Sequence, residues 1–316
     1  MLQLEDQPDD EWPKLLRLTM PDFLEKKTAE PRDKVFALRN LWSAAFGAIE
    51  VYYDRSVEGL FTEATRCLIV ATQKLEPLYT ACSCKKAYDI PSWAVDWAPA
   101  PDITMERATR WITEARERSP VSNYTLKASF SDDGLVLKLF GKDCGRISTC
   151  VSESIDFHHW LIRHEPGDVA NMVRKFLTAA GSAQFASKVN LGAGMAEILR
   201  LKTLYAPDSD ETLRRMEAES EAGRICDLME EYITAHPSTL MRRERLFLTA
   251  EGRIGTGNPN LESGDLICSF AGLALPFIVR RKGPYHELVS PAIVDGVTNC
   301  DAPGESQDED VPWEIV

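Results

Sequence analysis

The stretch that decides the fold is RLFLTAEGRIGTGNPNLESGDLICSFAGLALPFIVRRKGPYHELVSPAI, residues 245–293. It consists of short apolar runs separated by the turn-forming residues Gly, Pro, Asn and Asp. This pattern is typical of strands joined by tight turns. Four or five strands with such short connections predict a small antiparallel sheet, curled or closed into a barrel. Upstream, the runs YTLKASF and LVLKLFG around the turn SDDG (124–141) predict a β-hairpin that could add to this sheet.

The N-terminal part of the chain has a helical period instead. Pro31 and Asp33 open an amphipathic pattern that continues to Trp42. Ser56 is a suitable N-cap for a longer helix, whose apolar stripe continues until Pro77 ends it. The next segment, IPSWAVDWAPAP, predicts an ordered, buried loop, because its prolines forbid a regular helix and its indoles are too large to stay exposed.

Together these patterns predict an α+β protein in three parts. Residues 1–120 form a mainly helical unit with the PRDKV and PSWxxDW motifs, and a charged helix is expected at 105–118. Residues 121–298 form an α+β unit with the hairpin, a helical insertion and the β-rich end. Residues 299–316 are an acidic tail that we expect to be loosely ordered, although Trp313 could dock.

The composition argues against several classes of partner. The 316 residues include 36 Lys and Arg against 49 Asp and Glu, a formal net charge of −13. Phosphate backbones and anionic lipids repel such a chain at long range, so we expect neither a nucleic acid nor a membrane partner. The N-terminus lacks the basic and apolar regions of a signal peptide, and the eight cysteines are scattered. We therefore expect a cytoplasmic protein with reduced thiols.

Candidate catalytic groups are the carboxylates of Asp33, Asp54 and Asp96, which lie in strongly patterned segments. Helix capping and loop hydrogen bonds are the competing interpretation of all three. The histidine-rich segment DFHHWLIRHEPG (156–167) lacks the i, i+4 spacing of helical metal ligands, and LGAGMAE (191–197) lacks the third glycine of a dinucleotide fingerprint. We therefore expect no metal and no cofactor.

Candidate binding residues come from two patterns. Trp93 and Trp97 are large aromatic side chains in the proline-rich loop. Arg280 and Arg281 belong to one of two dense basic clusters in an acidic protein, the other lying at 242–245. Positive charge beside a predicted strand protects its edge from aggregation, and it can also bind an anion or an acidic partner.

Three segments, in this order, resemble the C-terminal half of fungal heterokaryon-incompatibility proteins, the HET-domain family. The first comprises EPRDKVFAL (30–38), VYYDRSVEGLFTEATRCLI (51–69) and IPSWAVDWA (90–98), which resemble the family's D-P-R-D-K-V-Y-A-L-L-G, tyrosine-serine and L-P-S-W-V-P-D-W motifs. The second, FSDDGLVLKLFG (130–141), is similar to the family's hairpin. The third, 242–297, is similar to its closing block with a G-D-L-I-C element, although Asp295 stands where that block has a histidine.

The resemblance implies a role in fungal self/non-self recognition and programmed cell death. Family members usually begin with the HET domain itself, which carries E-Y-x-A-L-S-Y-x-W-G and C-I-N-Q motifs and is thought to trigger death; this sequence has neither motif. We therefore expect a truncated family member: a non-enzymatic regulatory or protein-interaction module whose partners include full-length incompatibility proteins.

Two alternatives remain open at this point. One is an enzyme that transforms a small molecule in a pocket between the helical and β-rich units, lined by Trp93, Trp97 and Asp96, since such junctions are common pocket sites. The other is a decayed gene product, which would not unfold cooperatively.

Overall fold

The structure is a computed structural model that describes residues 28–41, 43–83, 86–98, 128–151, 174–178, 190–203, 210–236, 244–297 and 311–316. The predicted helix at 105–118, the histidine-rich segment and the basic residues 242 and 243 lie outside these ranges. Within the described ranges, no helix is long and apolar enough to cross a membrane.

Four helices form the N-terminal unit: α1 (Arg32–Leu41), α2 (Ser43–Phe46), α3 (Val57–Thr72) and α4 (Pro77–Ser83). Helix α3 begins where its sequence predicts, because the hydroxyl of Ser56 accepts a hydrogen bond from the backbone N–H of Gly59 at 3.1 Å. Its apolar stripe, which includes Leu60, Phe61 and Leu68, is buried in the main core.

Eight strands follow: β1 (Ala128–Phe130), β2 (Leu137–Cys150), β3 (Arg245–Thr249), β4 (Ile254–Gly257), β5 (Leu266–Phe270), β6 (Phe277–Lys282), β7 (Tyr285–Val294) and β8 (Val311–Ile315). They pair in the order β1-β2-β3-β4-β7-β6-β5, and β5 also pairs with β2. This second pairing closes six strands into a barrel, which confirms the predicted fold class. The last strand, β8, pairs antiparallel with the start of β2 and makes one parallel bridge to β7.

The barrel closes because β2 is long and bent. Its pairing shifts register between Asp143 and Gly145, and it pairs with β5 through 141–146 and with β3 through 147–150. Gly145 has φ +125°, a backbone conformation that side-chain-bearing residues rarely adopt. The bulge thus lies where β2 changes from pairing with β5 to pairing with β3.

Strands β3 and β4 are buried on both faces. A small core fills the barrel interior, with Phe247 at its centre. Gly255 faces this ring, and a Cβ atom there would lie 2.2 Å from Cζ of Phe247, so the glycine makes room for the aromatic side chain. The neighbours Leu246 and Leu248 point outward into the main core shared with the helices.

Three further helices lie between β2 and β3 in the chain: α5 (Leu191–Lys202), α6 (Glu211–Glu217) and α7 (Ala222–Ala235). Helix α5 packs on β4 and β7, and α6 packs on α5. Gly192 lies at that second contact, where a Cβ atom would be 2.0 Å from the carbonyl oxygen of Met216. The glycine-bearing start of α5 is therefore explained by helix packing, with Asn190 as its N-cap.

The structure agrees with the sequence pattern at the hairpin and differs from it in part at the acidic tail, which was expected to be loosely ordered. The hairpin forms as predicted, with Phe130 opposite Leu137. Part of the acidic tail is ordered as β8, in which Trp313 and Ile315 are buried. The tail's apolar side chains dock because the start of β2 offers a free strand edge beside the main core.

Candidate binding cleft

The tryptophan-bearing loop at 90–98 connects the helical unit to the barrel. Both indoles are fully buried. Nε1 of Trp93 donates a hydrogen bond to the carbonyl oxygen of Leu135, at the tip of the β1–β2 hairpin, over 3.0 Å. In the opposite direction, the backbone N–H of Val95 donates to Oγ1 of Thr65 on α3 at 2.9 Å. The loop is therefore held on both sides, as a buried loop must be to satisfy its polar groups.

Asp96 stabilises this loop from within. One carboxylate oxygen accepts a hydrogen bond from the N–H of Ala87 at 2.6 Å, and the other accepts one from the N–H of Ala98 at 2.9 Å. Trp97 packs edge-on against Phe46 with ring centroids 6.0 Å apart. Among the described residues, Nε1 of Trp97 has no hydrogen-bond partner.

Ser92 connects the same loop to β7 and to Val316, the residue after β8. Its N–H donates to the carbonyl oxygen of Val316 at 2.9 Å, and its hydroxyl donates to the same oxygen. The hydroxyl also accepts a hydrogen bond from the N–H of Leu288 on β7 at 2.8 Å. One small polar side chain thus fixes the end of β8 beside β7.

A cleft of about 590 Å³ opens at this junction, between the segment 86–92, the β6–β7 hairpin and the end of β8. Its floor is the apolar side chain of Leu288 with its neighbours on β7. The charged and polar side chains that line it are Lys86, Asp89, Ser92, Asn260, Arg280, Lys282 and Glu287. A pocket between the two units was expected to be lined by Trp93, Asp96 and Trp97. None of these three residues lines this cleft; on the loop side its lining comes from the residues just before them in the chain.

Arg280 is held by the loop between β4 and β5. Its Nε and Nη2 donate to the two carboxylate oxygens of Asp265 at 2.8 and 2.9 Å, a bidentate pair. Nη2 also donates to the carbonyl oxygen of Asn260, and Nη1 lies 3.0 Å from a carboxylate oxygen of Glu262. The hydrogen bond that Arg280 donates to Asp265 is the main cause of the raised pKa of Arg280.

The neighbouring basic residues are held less firmly. Nε of Arg281 donates to the carbonyl oxygen of Gly283 at 3.3 Å, and its side chain is exposed. Nζ of Lys282 lies 3.6 Å from a carboxylate oxygen of Glu287 on the opposite strand. The side chains of one predicted basic cluster therefore have different surroundings, and only Arg280 and Lys282 line the cleft.

The other two candidate carboxylates lie in the helical unit. An oxygen of Asp33 accepts a hydrogen bond from the hydroxyl of Tyr53 at 2.6 Å, which joins the PRDKV segment to the tyrosine-bearing segment. Asp54 is exposed. No described hydrogen bond joins Asp96 to Asp33 or Asp54, and their catalytic role stays a prediction. Within the described ranges, no group of three or more His, Cys, Asp or Glu side chains is placed to hold a metal ion.

Sequence reasoning missed the groups that shape the cleft. Asp265, Lys86 and Glu287 were not singled out, although Asp265 is the acidic residue of the G-D-L-I-C element. Asp265 directly precedes the buried strand β5, so its carboxylate needs a cation or several N–H donors nearby. Arg280 lies on the next strand, β6. That pairing was the signal available in the sequence.

The family comparison concerns the barrel half of the chain. Residues 201–311 match the family model described as the Het-6 beta-barrel domain. The matched range extends from the end of α5 to the first residue of β8, so it contains β3 to β7 but not β2, the strand that closes the barrel. No curated protein and no solved structure was found to match the chain. The C-terminal region of this protein is therefore related to heterokaryon-incompatibility proteins, as its motifs indicate.

Proposed function

We propose that this chain is a non-enzymatic regulatory or protein-interaction module of fungal self/non-self recognition, acting in the cytoplasm on full-length incompatibility proteins. Two observations support the proposal: residues 201–311 match the Het-6 beta-barrel domain, and a cleft lies where the barrel meets the helices. A partner bound in this cleft would contact both units at once.

The chemistry of the cleft supports recognition of a polypeptide. The basic groups that line it are engaged with carboxylates or with backbone: Arg280 with Asp265, Lys282 with Glu287, and Lys86 with the carbonyl oxygen of Pro91. Groups held in this way present a fixed pattern of charge and shape, which favours specific binding over proton transfer.

Expression in fungal hyphae tests the regulatory role. The chain alone should leave hyphae alive, and co-expression with a full-length incompatibility protein should change the fraction of dead cells. The test variant is Leu135→Arg, which places a charged side chain at the exposed rim of the cleft without touching the core, and it should abolish the effect of co-expression. Death caused by the chain alone would contradict the proposal, and so would failure to co-purify any full-length incompatibility protein.

A small-molecule enzyme is the second candidate, favoured by the position and volume of the cleft. It predicts that the purified chain converts a component of a fungal small-molecule extract, detected by mass spectrometry, and that Leu135→Arg abolishes the conversion. An unchanged extract would remove this candidate.

A further inference from the structure

The surface of the helical unit carries three consecutive exposed side chains between α2 and α3. Val51, Tyr52 and Tyr53 have 50%, 57% and 52% of their surface exposed. Exposed aromatic residues rimmed by polar groups are typical of protein-binding surfaces, where tyrosine is enriched. We call these three residues the tyrosine patch.

The patch is held in place before any partner arrives. The hydroxyl of Tyr53 donates to Asp33 at 2.6 Å, and its ring packs edge-on against Phe36 with centroids 5.2 Å apart. A side chain fixed in this way loses little conformational entropy on binding. Among the described residues, Tyr52 has neither a hydrogen bond nor a ring contact, so its ring is available to a partner.

The charge around the patch is negative. Glu50 and Asp54 flank it in the chain and are both exposed, and Asp33 lies beneath Tyr53. Two basic residues that neighbour Asp33 and Asp54 in the chain are paired with carboxylates: Arg32 with Glu30 at 2.8 Å, and Arg55 with Glu63. The pKa of the Tyr53 hydroxyl is raised, chiefly by its hydrogen bond to Asp33 and also by the charge of Glu30.

We propose that the tyrosine patch is a docking surface for a basic, arginine-bearing segment of a protein partner. An arginine side chain stacks on a tyrosine ring through a cation–π contact, and the same guanidinium can reach the flanking carboxylates of Glu50 or Asp54. This inference rests on the proposed interaction function. It adds that the partner carries a basic segment, which binds the tyrosine patch and not the cleft.

The test uses the full chain and a fluorescent twelve-residue peptide of alternating Arg and Gly. A Glu-Gly peptide of the same length is the charge-reversed probe. Fluorescence anisotropy should show saturable binding of the Arg-Gly peptide alone, weakened by added salt. Tyr52→Ala should weaken binding roughly fivefold, and Tyr52→Phe should restore it because the ring is retained.

Tyr285→Ala is the matched control, because it removes an exposed tyrosine from the β6–β7 hairpin on the barrel. It should change binding less than twofold. Equal losses for Tyr52→Ala and Tyr285→Ala, or no loss for Tyr52→Ala, would overturn the inference. If Tyr52→Ala co-purifies a full-length incompatibility protein as well as the wild type does, the tyrosine patch is not the docking surface, while the proposed function stands. If the wild type co-purifies no such protein, the proposed function itself fails.

Discussion

Replacing Arg280 by alanine should destabilise the protein much more than replacing its neighbour Arg281. The guanidinium makes two hydrogen bonds to Asp265, a carboxylate that is only 3% exposed. In Arg280→Ala this carboxylate would keep its hydrogen bond from the N–H of Glu262 but would lose its counter-ion. A buried charge that has lost its counter-ion is the costly outcome.

The size of the effect follows from the geometry. Removing one partner of a buried ion pair costs about 3–5 kcal/mol, and the side chain of Arg280 keeps 28% of its surface in water. Partial screening places the loss at the lower end, about 3 kcal/mol. Arg280→Lys retains the charge but not the bidentate geometry, so it should cost about 1–2 kcal/mol.

Urea unfolding followed by tryptophan fluorescence measures these losses, provided that the slope of the free energy of unfolding against urea is the same for all variants. Arg281→Ala is the matched control, since this neighbour makes one long hydrogen bond and is exposed; it should stay within about 0.5 kcal/mol. Arg280→Ala combined with Asp265→Asn should recover part of the loss. A loss below about 1 kcal/mol for Arg280→Ala, or an equal loss for Arg281→Ala, would refute the reasoning.

Two further predictions concern helix α5 and its surroundings. Burial, and then the charge of Glu197, raise the pKa of Asp295, so the native state binds this proton more tightly than the unfolded chain does. The free energy of unfolding should therefore fall as the pH rises from the ordinary aspartate pKa through the raised one. In urea titrations at several pH values, Asp295→Asn should make this fall smaller. Gly192→Ala places a Cβ atom on the carbonyl oxygen of Met216 and should cost about 2–3 kcal/mol. Gly194→Ala in the same helix meets its nearest atoms at 3.4 Å and should be neutral or stabilising by about 0.5 kcal/mol; thermal unfolding that ranks the two alanines equally would contradict this packing.

Much of the local structure could be predicted from the chain alone. The N-cap at Ser56 and the apolar stripe after it specify α3, because both depend on residues within a few turns of one another. The hairpin at 128–141 depends on the Asp-Gly turn, in which Gly134 has φ +71°. Alternating and two-sided apolar runs likewise indicate the strands of the β-rich end.

The candidate site was less accessible to prediction. The aromatic loop at 90–98 was expected to be buried, and Trp93 and Trp97 are. The sequence did not predict which residues near this loop line the cleft. The cleft forms where the loop meets β7 and β8, which lie about two hundred residues later in the chain. Sequence spacing carries no information about contacts of this range.

The sequence by itself determined the helices, the hairpin, the strand-rich end and the resemblance to incompatibility proteins, since each depends on short-range periodicity, turn chemistry or motif order. Only the tertiary structure decided that β2 bends at Gly145 to close the barrel, that Ser92 holds the end of β8, and that Arg280 forms an ion pair with Asp265. These contacts join residues distant in the chain, and they form because buried polar groups must find partners once the apolar faces have packed.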